Sequence, residues 1–411
     1  MPQSIQQTDS IEGSGFPLAF KVRQGPRRSG VIGGSAARDV FRVDLRAMGG
    51  HQTECVVTEG EAGSSYRLTS DEGASLKGTD LAPFPLGFMS AGFQADLQNR
   101  FMTLASATGV KIDALATEIV NGYEFNGSFF RGDGKGSAVA PRIKFIVKSA
   151  HSAAAIQSLV RAALDASPLI ALTRGSPSNT FALYINGKRR AIAAPPPSLA
   201  SDVSDPLKVW AGVPRPLPNA NDPADLITKV TTAPAPDPAA PQFGMSLDPA
   251  ATIRRPIAVL GETTWHHGIT QSETWLGTPI GSRFGLKSDE RMSEDQAPSG
   301  LGLVVSGIAF CLMTQLLRYT EVHKLKIRAL RLVQVSPFEL TGSAASGTLR
   351  ARMHPLDTHV FAHGDETDER IEKLLVMAQN TCYLHALLHS SFEPVAELTL
   401  NDVAVMLSRA T

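Results

Sequence analysis

The 411-residue sequence is poor in cysteine and carries no excess charge of either sign. Its three cysteines are too few to form a disulfide framework in a chain of this length. Basic and acidic residues number 39 each, which argues against nucleic acid or an anionic membrane as a partner. The first ten residues are polar and do not resemble a signal peptide, so we expect a cytoplasmic location.

Long hydrophobic runs are also absent. The longest apolar run extends from Gly300 to Met313, whereas a transmembrane helix needs roughly 20 residues. Its apolar residues recur at helical spacing, and neither proline nor charge interrupts the stretch from Ser299 to Gln315. The pattern predicts a buried core helix over 297–321, with Cys311 near its middle and no membrane contact.

The second half of the chain repeats the first. Residues 92–187 align with 307–402 without a gap, and twenty of the aligned pairs are identical. Upstream, 53–72 also parallels 272–290, with a few residues of slippage. The alignment indicates a duplicated domain.

Both aligned cysteines of the second copy are missing from the first. Asp96 stands at the position of Cys311, and Ser167 stands at the position of Cys382. A buried cysteine is usually inert packing, but a paired loss suggests that the two thiols act together. Cys55 has no cysteine counterpart, and we interpret it as a packed strand residue.

The composition divides the chain into four segments. Residues 1–36 are rich in glycine and serine and are expected to be flexible. The two copies occupy 37–190 and 251–411. Residues 191–250 are rich in proline, which favours extended polyproline geometry and predicts a semi-rigid linker.

Each copy shows the same predicted order of elements: opening strands, a long helix, two strands, a second helix and a final strand. In the first copy the helices are predicted at 84–107 and 151–166. In the second copy they are predicted at 297–321 and 366–387, with strands at 325–336, 348–363 and 395–402.

Histidines are concentrated in the second copy and raise the question of a metal site. In the segment 382–389, Cys382, His385 and His389 are spaced so that they could share one helical face. No carboxylate completes this set at a clear spacing. Metal binding, with His266 or His267 as a further ligand, therefore stays a minor alternative, and we expect no metal or other cofactor.

The second copy resembles the OsmC/Ohr family of organic hydroperoxide reductases. The resemblance rests on SRFGLKSDE (282–290), on the Gly-x-Ala-x-Cys pattern that ends at Cys311, and on KLKIRALRLVQV (324–335). It also rests on a later helix that carries Cys382 ahead of a final strand. It covers about 252–405 and, without the cysteines, about 40–190.

The resemblance implies an α+β fold: two tandem OsmC-like domains, each a curved, mainly antiparallel sheet packed around two long helices. It also implies an intertwined dimer, whose place the two copies would take as a pseudo-dimer within one chain. The sequence leaves open whether two chains associate further as a homodimer. The degenerate first copy would support the single site of the second.

The resemblance further implies that Cys311 is the peroxidatic thiol and Cys382 the resolving thiol. An acidic pair of the family is replaced here by Gly300-Leu301-Gly302. The other candidate catalytic residues are Arg283, His266, His267 and His385. The implied partners are an organic hydroperoxide or other small apolar ligand and a dithiol reductant. A non-catalytic binding or assembly protein on the same scaffold stays open as an alternative.

Overall fold

The computed structural model describes residues 10–175, 179–211, 215–217, 226–232, 255–278 and 281–407. Much of the predicted linker 191–250 and the first nine residues lie outside these ranges. Two residues of the described part of the linker are buried against the body of the protein. Trp210 is buried beneath the Arg46 guanidinium, and Ile227 is buried at the start of a strand.

Eighteen strands run through the described residues. They are β1 Ala19–Arg23, β2 Ala37–Ala47, β3 Thr53–Glu59, β4 Ser65–Ser70, β5 Ala114–Asn126, β6 Lys135–Ala138, β7 Arg142–Lys148, β8 Thr180–Ile185, β9 Lys188–Arg190, β10 Ile227–Thr231, β11 Arg255–His266, β12 Ile269–Leu276, β13 Arg283–Asp289, β14 Ile327–Thr341, β15 Arg350–Met353, β16 Asp357–Gly364, β17 Val395–Leu400 and β18 Val403–Val405.

Eight α-helices accompany the strands in the same described residues. They are α1 Ile11–Ser14, α2 Pro85–Ala107, α3 Ala153–Ala166, α4 Pro168–Arg174, α5 Leu207–Ala211, α6 Gly300–Val322, α7 Asp368–Thr381 and α8 Tyr383–Leu388. The helix predicted at 151–166 is observed as α3, and the additional helix α4 follows it after Ser167. The helix predicted at 366–387 is instead two helices, α7 and α8, because the chain turns at Cys382, which adopts extended backbone angles.

The strands form two nine-stranded sheets, and each sheet takes strands from both copies. The first sheet has the order β1-β4-β3-β2-β14-β16-β8-β9, with β15 added to β14. The second has the order β10-β13-β12-β11-β5-β7-β17-β18, with β6 added to β5. Pairing is antiparallel except between β16 and β8 and between β17 and β7. The expected α+β fold, with mainly antiparallel sheets and long helices, is confirmed.

The two sheets are related by a pseudo-twofold exchange of the copies. Strand β2 of the first copy pairs with β14 of the second, and β11 of the second pairs with β5 of the first. Each interface joins an edge of one copy to the other, so neither copy completes a sheet alone. The copies are therefore intertwined, and the boundaries 37–190 and 251–411 describe sequence repeats that share both sheets.

The two long helices α2 and α6 lie between the sheets and pack against each other. Glycines allow the close approach: a Cβ at Gly92 would lie 2.4 Å from the carbonyl oxygen of Gly300. A Cβ at Gly307 would lie 2.9 Å from the carbonyl oxygen of Pro85. Helix α6 is long and apolar enough to cross a bilayer, but its apolar window is entirely buried inside the protein. It is the predicted core helix.

Residues 10–36 differ from the predicted flexible segment. Strand β1 pairs with β4, and Val31 and Ile32 are fully buried. Arg28 holds this segment in place through ion pairs with Glu59 at 3.0 Å and with Asp295 at 3.2 Å. Glycine and serine therefore serve turns here, while a few apolar and charged side chains fix the segment to the body.

Candidate redox site around Cys311

Two cysteines meet in the core of the protein. Cys311 lies in the middle of α6, and Cys382 is the residue between α7 and α8. Their Sγ atoms are 3.3 Å apart, and both side chains are buried. The thiols that the repeat singled out are thus in direct contact.

The backbone turn at Cys382 produces this contact. Cys382 ends α7 and begins α8, with φ −69° and ψ 114°. A continuous helix over 366–387, as the sequence predicts, would carry the residues after Thr381 along the axis of α7. The break instead directs the Cys382 thiol toward α6 and leaves His385 one turn later on a new axis.

His385 adjoins the sulfur pair. Its Nδ1 atom lies 3.2 Å from Cys382 Sγ, and its ring packs against Phe181 with centroids 5.5 Å apart. The side chain is fully buried. The described structure therefore contains a row of three groups, His385, Cys382 and Cys311, each within hydrogen-bond reach of the next.

A cavity of about 70 Å³ reaches Cys311. Its polar lining includes Glu72, Gln315, Arg318 and Tyr383. Its apolar lining is contributed by both repeats: Leu76, Ala82, Phe84, Pro85, Leu86, Ile257 and Leu276. The described lining includes Cys311 but not Cys382, so a small molecule in this cavity meets the Cys311 sulfur first.

Two ionisable side chains line this cavity. Glu72 follows β4 of the first copy, and burial raises its pKa to about 7 although Arg318 and a hydrogen bond from Thr314 oppose the shift. Arg318 lies two turns after Cys311 on α6, and its guanidinium stacks 3.8 Å from the centroid of Phe129. Burial lowers the pKa of Arg318, while Glu72 is among the groups that oppose this change. An acid and a cation thus line the same cavity as the Cys311 thiol.

The two thiols have different electrostatic surroundings. Burial and the adjacent Cys382 sulfur raise the pKa of Cys311 well above its ordinary value. Burial acts in the same direction on Cys382, but the contacts with Cys311 and His385 outweigh it and hold the pKa of Cys382 well below the usual range. The first proton to leave the pair therefore leaves from the side of His385.

The structure does not bring three of the predicted site residues to the sulfurs. Arg283 ion-pairs with Glu262 at 3.2 Å and stacks on Trp275, because alternate residues of β13 face outward and Phe284 takes the inward position. His266 and His267 are exposed at the tip of the β11–β12 hairpin.

The hairpin that carries these histidines lies against the other repeat. His266 and His267 line a separate cleft with Asn99 of α2 and with Glu290. The reason is the exchange of strands, since β11 and β12 belong to the sheet that packs on α2. The cation in the cavity that reaches Cys311 is Arg318 of the same helix, and the acid comes from the first copy.

Glu72 and Arg318 are the site residues that sequence analysis did not identify. Glu72 aligns with Glu290, since the first copy reads TSDE at 69–72 and the second reads SDE at 288–290. The available signal was therefore an acid at the same position of both copies. Arg318 is a charge that follows a long apolar helical run. Neither signal shows which repeat would complete the site.

The equivalent position in the first copy contains an ionic cluster. Asp96 accepts hydrogen bonds from Arg100 at 2.8 Å and from Ser167 at 2.5 Å. Arg100 also donates to the carbonyl oxygen of Val31 at 2.6 Å, and its side chain is fully buried. The Asp96–Ser167 contact reproduces the Cys311–Cys382 contact without sulfur, so this position of the first copy carries no thiol pair.

The structure does not support the metal alternative. Among the described residues, no group of three histidine, cysteine or acidic side chains is placed to hold a metal ion. His389 is exposed and its ring lies 3.3 Å from Gln379 Nε2. Cys382 and His385 are buried, whereas the His389 side chain reaches the surface.

Residues 293–394, which include both contacting cysteines, match the family model described as OsmC-like protein. The chain carries an OsmC-like domain. A search of solved structures matches the crystal structure of an OsmC-like hydroperoxide resistance protein from Jannaschia sp. CCS1, with 17% sequence identity and a TM-score of 0.25. That match covers 36% of this chain and 96% of the other. No curated protein matches the sequence.

Proposed function

We propose that the protein is a thiol peroxidase that reduces organic hydroperoxides, with Cys311 as the peroxidatic and Cys382 as the resolving cysteine. The observation that carries the proposal is the 3.3 Å contact between two buried sulfurs, of which Cys311 also borders a cavity. The OsmC-like domain around them supports the same chemistry.

The reaction proceeds in two steps. The Cys311 thiolate attacks the outer oxygen of the hydroperoxide, its electron pair breaks the O–O bond, and the alkoxide leaves and is protonated to an alcohol. Cys311 becomes a sulfenic acid. Cys382 then attacks that sulfur, and the sulfenic hydroxyl leaves as water when the S–S bond forms. In sum, two thiols and one hydroperoxide give one disulfide, one alcohol and one water.

Arg318 and Glu72 in the cavity serve the first step. The Arg318 cation lies on the same helix as Cys311 and favours negative charge that develops on the departing oxygen. Glu72 has a pKa near 7, so it holds a proton in part of the population at neutral pH and can deliver it to the alkoxide. The apolar lining favours an organic hydroperoxide over hydrogen peroxide, because an alkyl group can pack against it whereas a second hydroxyl group finds few polar partners there.

A dithiol completes the cycle by reducing the disulfide through a mixed disulfide. Small dithiols and dithiol proteins of the cytoplasm are of the required class. Because both sulfurs are buried, we expect a reductant that reaches Cys311 through the cavity. The cytoplasmic location is part of this proposal.

Mass spectrometry after treatment with an organic hydroperoxide tests the proposal. We expect a peptide linked through Cys311 and Cys382 in the wild type, and a sulfenic acid trapped at Cys311 in Cys382→Ser. Cys55→Ser is the matched control, because burial raises the pKa of Cys55 to about 12 and it should take no part. Absence of the linked peptide, with both thiols still free, would refute the proposal.

A non-catalytic binding protein on the same scaffold is the second candidate. It is favoured by the complete burial of both thiols and by the raised pKa of Cys311. This candidate predicts that a small apolar ligand binds Cys311→Ser as tightly as the wild type and that hydroperoxide leaves both thiols unchanged. The two candidates therefore differ in the same mass spectrum.

A further inference from the structure

His385 is placed to exchange a proton with the sulfur pair. Its Nδ1 atom lies 3.2 Å from Cys382 Sγ, which lies 3.3 Å from Cys311 Sγ. Its other ring nitrogen, Nε2, is buried without a hydrogen-bond partner among the described residues. The Cys382 sulfur is thus the polar contact of this imidazole in the described structure.

The first copy shows what this position requires when there are no thiols. Ile170 aligns with His385, and Ile170 is fully buried. Hence the scaffold accepts an apolar side chain at this position. The imidazole is absent from the copy that lacks both sulfurs, and packing alone does not explain its presence in the other.

Few other ionisable groups face the pair. Arg318 of α6 and Glu72 of the segment after β4 line the cavity beside it, Tyr123 faces it from β5, Tyr383 from α8 and His389 from the C-cap of α8. Burial raises the pKa of both tyrosines, so they stay protonated near neutral pH. Lys135 of β6 and Arg174 of α4 are exposed on elements that pack against α8. Of these groups, only His385 combines a direct contact with Cys382 and a proton-accepting nitrogen.

We propose that His385 is the proton acceptor of the Cys311–Cys382 pair. Nδ1 takes one proton from Cys382, and the remaining thiol proton is shared between the two sulfurs. The pair then carries one negative charge beside an imidazolium, and sharing the proton lets that charge reside on Cys311 at the cavity.

The purpose of this proton transfer rests on the proposed function. Over that reaction, every proton that leaves one group is taken up by another. After the alkoxide has taken a proton from Glu72, Cys311 is a sulfenic acid and Cys382 keeps the shared proton. Cys382 displaces the hydroxyl group, which takes that proton and leaves as water. Transfer of the imidazolium proton to the Glu72 carboxylate restores both groups, so neither gains or loses a proton over the cycle.

The thiolate titration of the reduced protein tests this role without any hydroperoxide. Ultraviolet absorbance of the thiolate is recorded against pH below the ionisation of tyrosine, for the wild type, His385→Asn and His385→Ile. Asparagine keeps a hydrogen-bond donor near the Nδ1 position but accepts no proton, and isoleucine restores the residue of the first copy. His389→Asn is the matched control, since His389 is an exposed histidine one turn further along.

We expect a thiolate transition near or below neutral pH in the wild type and in His389→Asn. In both His385 variants the midpoint should rise by at least about one pH unit, toward or beyond the value of an ordinary thiol. Cys382→Ser should abolish the low transition. Thermal melting of each variant reports whether it is folded, and if one His385 variant fails to fold, the other gives the same comparison.

An unchanged midpoint in a folded His385 variant would overturn the inference, and so would a wild type whose thiols ionise only at the pH of an ordinary thiol or above it. The outcome is independent of peroxidase activity. A His385-dependent transition in a protein that does not react with hydroperoxides would refute the proposed function and leave the proton acceptor in place.

Discussion

Replacing Glu72 by glutamine should change how the stability of the protein depends on pH. Glu72 is 8% exposed, and burial raises its pKa from 4.5 to about 7. Between these values the folded protein holds a proton that the unfolded chain has released. The free energy of unfolding therefore falls as the pH rises through this interval.

The magnitude follows from the size of the pKa change. One pKa unit corresponds to about 1.4 kcal/mol, so the ionisation of Glu72 should cost about 3 kcal/mol of stability between acidic and weakly alkaline pH. Glutamine has nearly the shape of the protonated acid and does not titrate. Relative to the wild type, Glu72→Gln should be close to neutral near pH 5 and more stable by up to about 3 kcal/mol near pH 8.

Urea unfolding of both proteins at several pH values between about 5 and 8 measures this difference. Subtracting the two curves removes the contributions of all other titrating groups. Glu290→Gln should show the same dependence on pH. Glu290 aligns with Glu72, and burial raises its pKa to about 7 as well. Wild-type and Glu72→Gln curves that run parallel over this range would show that the reasoning about Glu72 is incorrect.

Three further predictions concern stability. Oxidation to the Cys311–Cys382 disulfide closes a loop of 71 residues and should raise the free energy of unfolding by about 4 kcal/mol. Calorimetry should show this as a rise in Tm of about 5 °C on oxidation, and Cys382→Ser should show no such rise. Arg100→Ala should lower the free energy of unfolding by about 3–5 kcal/mol, because it leaves buried Asp96 without its cation. Arg142→Ala, which removes an exposed ion pair with Glu397, should cost under about 1 kcal/mol in the same urea titration. Gly307→Ala should lower the free energy of unfolding by about 1–3 kcal/mol although alanine has the better helix propensity, since its Cβ would press on the backbone of Pro85. A Tm equal to that of the wild type would contradict the close contact between α2 and α6.

Sequence periodicity was sufficient to locate the central helix. The helix predicted at 297–321 is observed at Gly300–Val322, three residues later at its start and one residue later at its end. The agreement is close because an apolar run without proline or charge forms a buried helix in most contexts. The final strand of the second copy, predicted at 395–402, is observed at Val395–Leu400. Local patterns of this kind are properties of a single segment.

The repeat was the decisive signal for the site. It identified Cys311 and Cys382 as a pair although 71 residues separate them, and the structure places their sulfurs in contact. Periodicity could not show the turn at Cys382, because the sequence there lacks glycine and proline and continues with good helix formers. Tertiary contacts with α6, and not local propensity, favour the break.

The remaining site residues depend on pairing between distant strands. Arg283, His266 and His267 lie close to the Cys311 helix in sequence order, but β11 joins the sheet around β5 of the other copy. By the same exchange, the end of β4 carries Glu72 to Cys311. A single sequence contains no measure of which edge strands pair, and therefore the acid could not be assigned to the thiol that it faces.

The duplication explains how one chain can combine a thiol site with an ionic cluster. In a dimer of identical chains, every substitution would change both sites, so a carboxylate in place of the thiol would remove both sites at once. In the fused chain, Asp96 and Arg100 can form a buried ion pair in one half while Cys311 keeps its sulfur in the other. The first copy is still indispensable, because β2 completes the sheet beside β14 and the adjoining segment supplies Glu72. Loss of thiol chemistry in one half is thus compatible with retention of that half as a structural and electrostatic component of the remaining site.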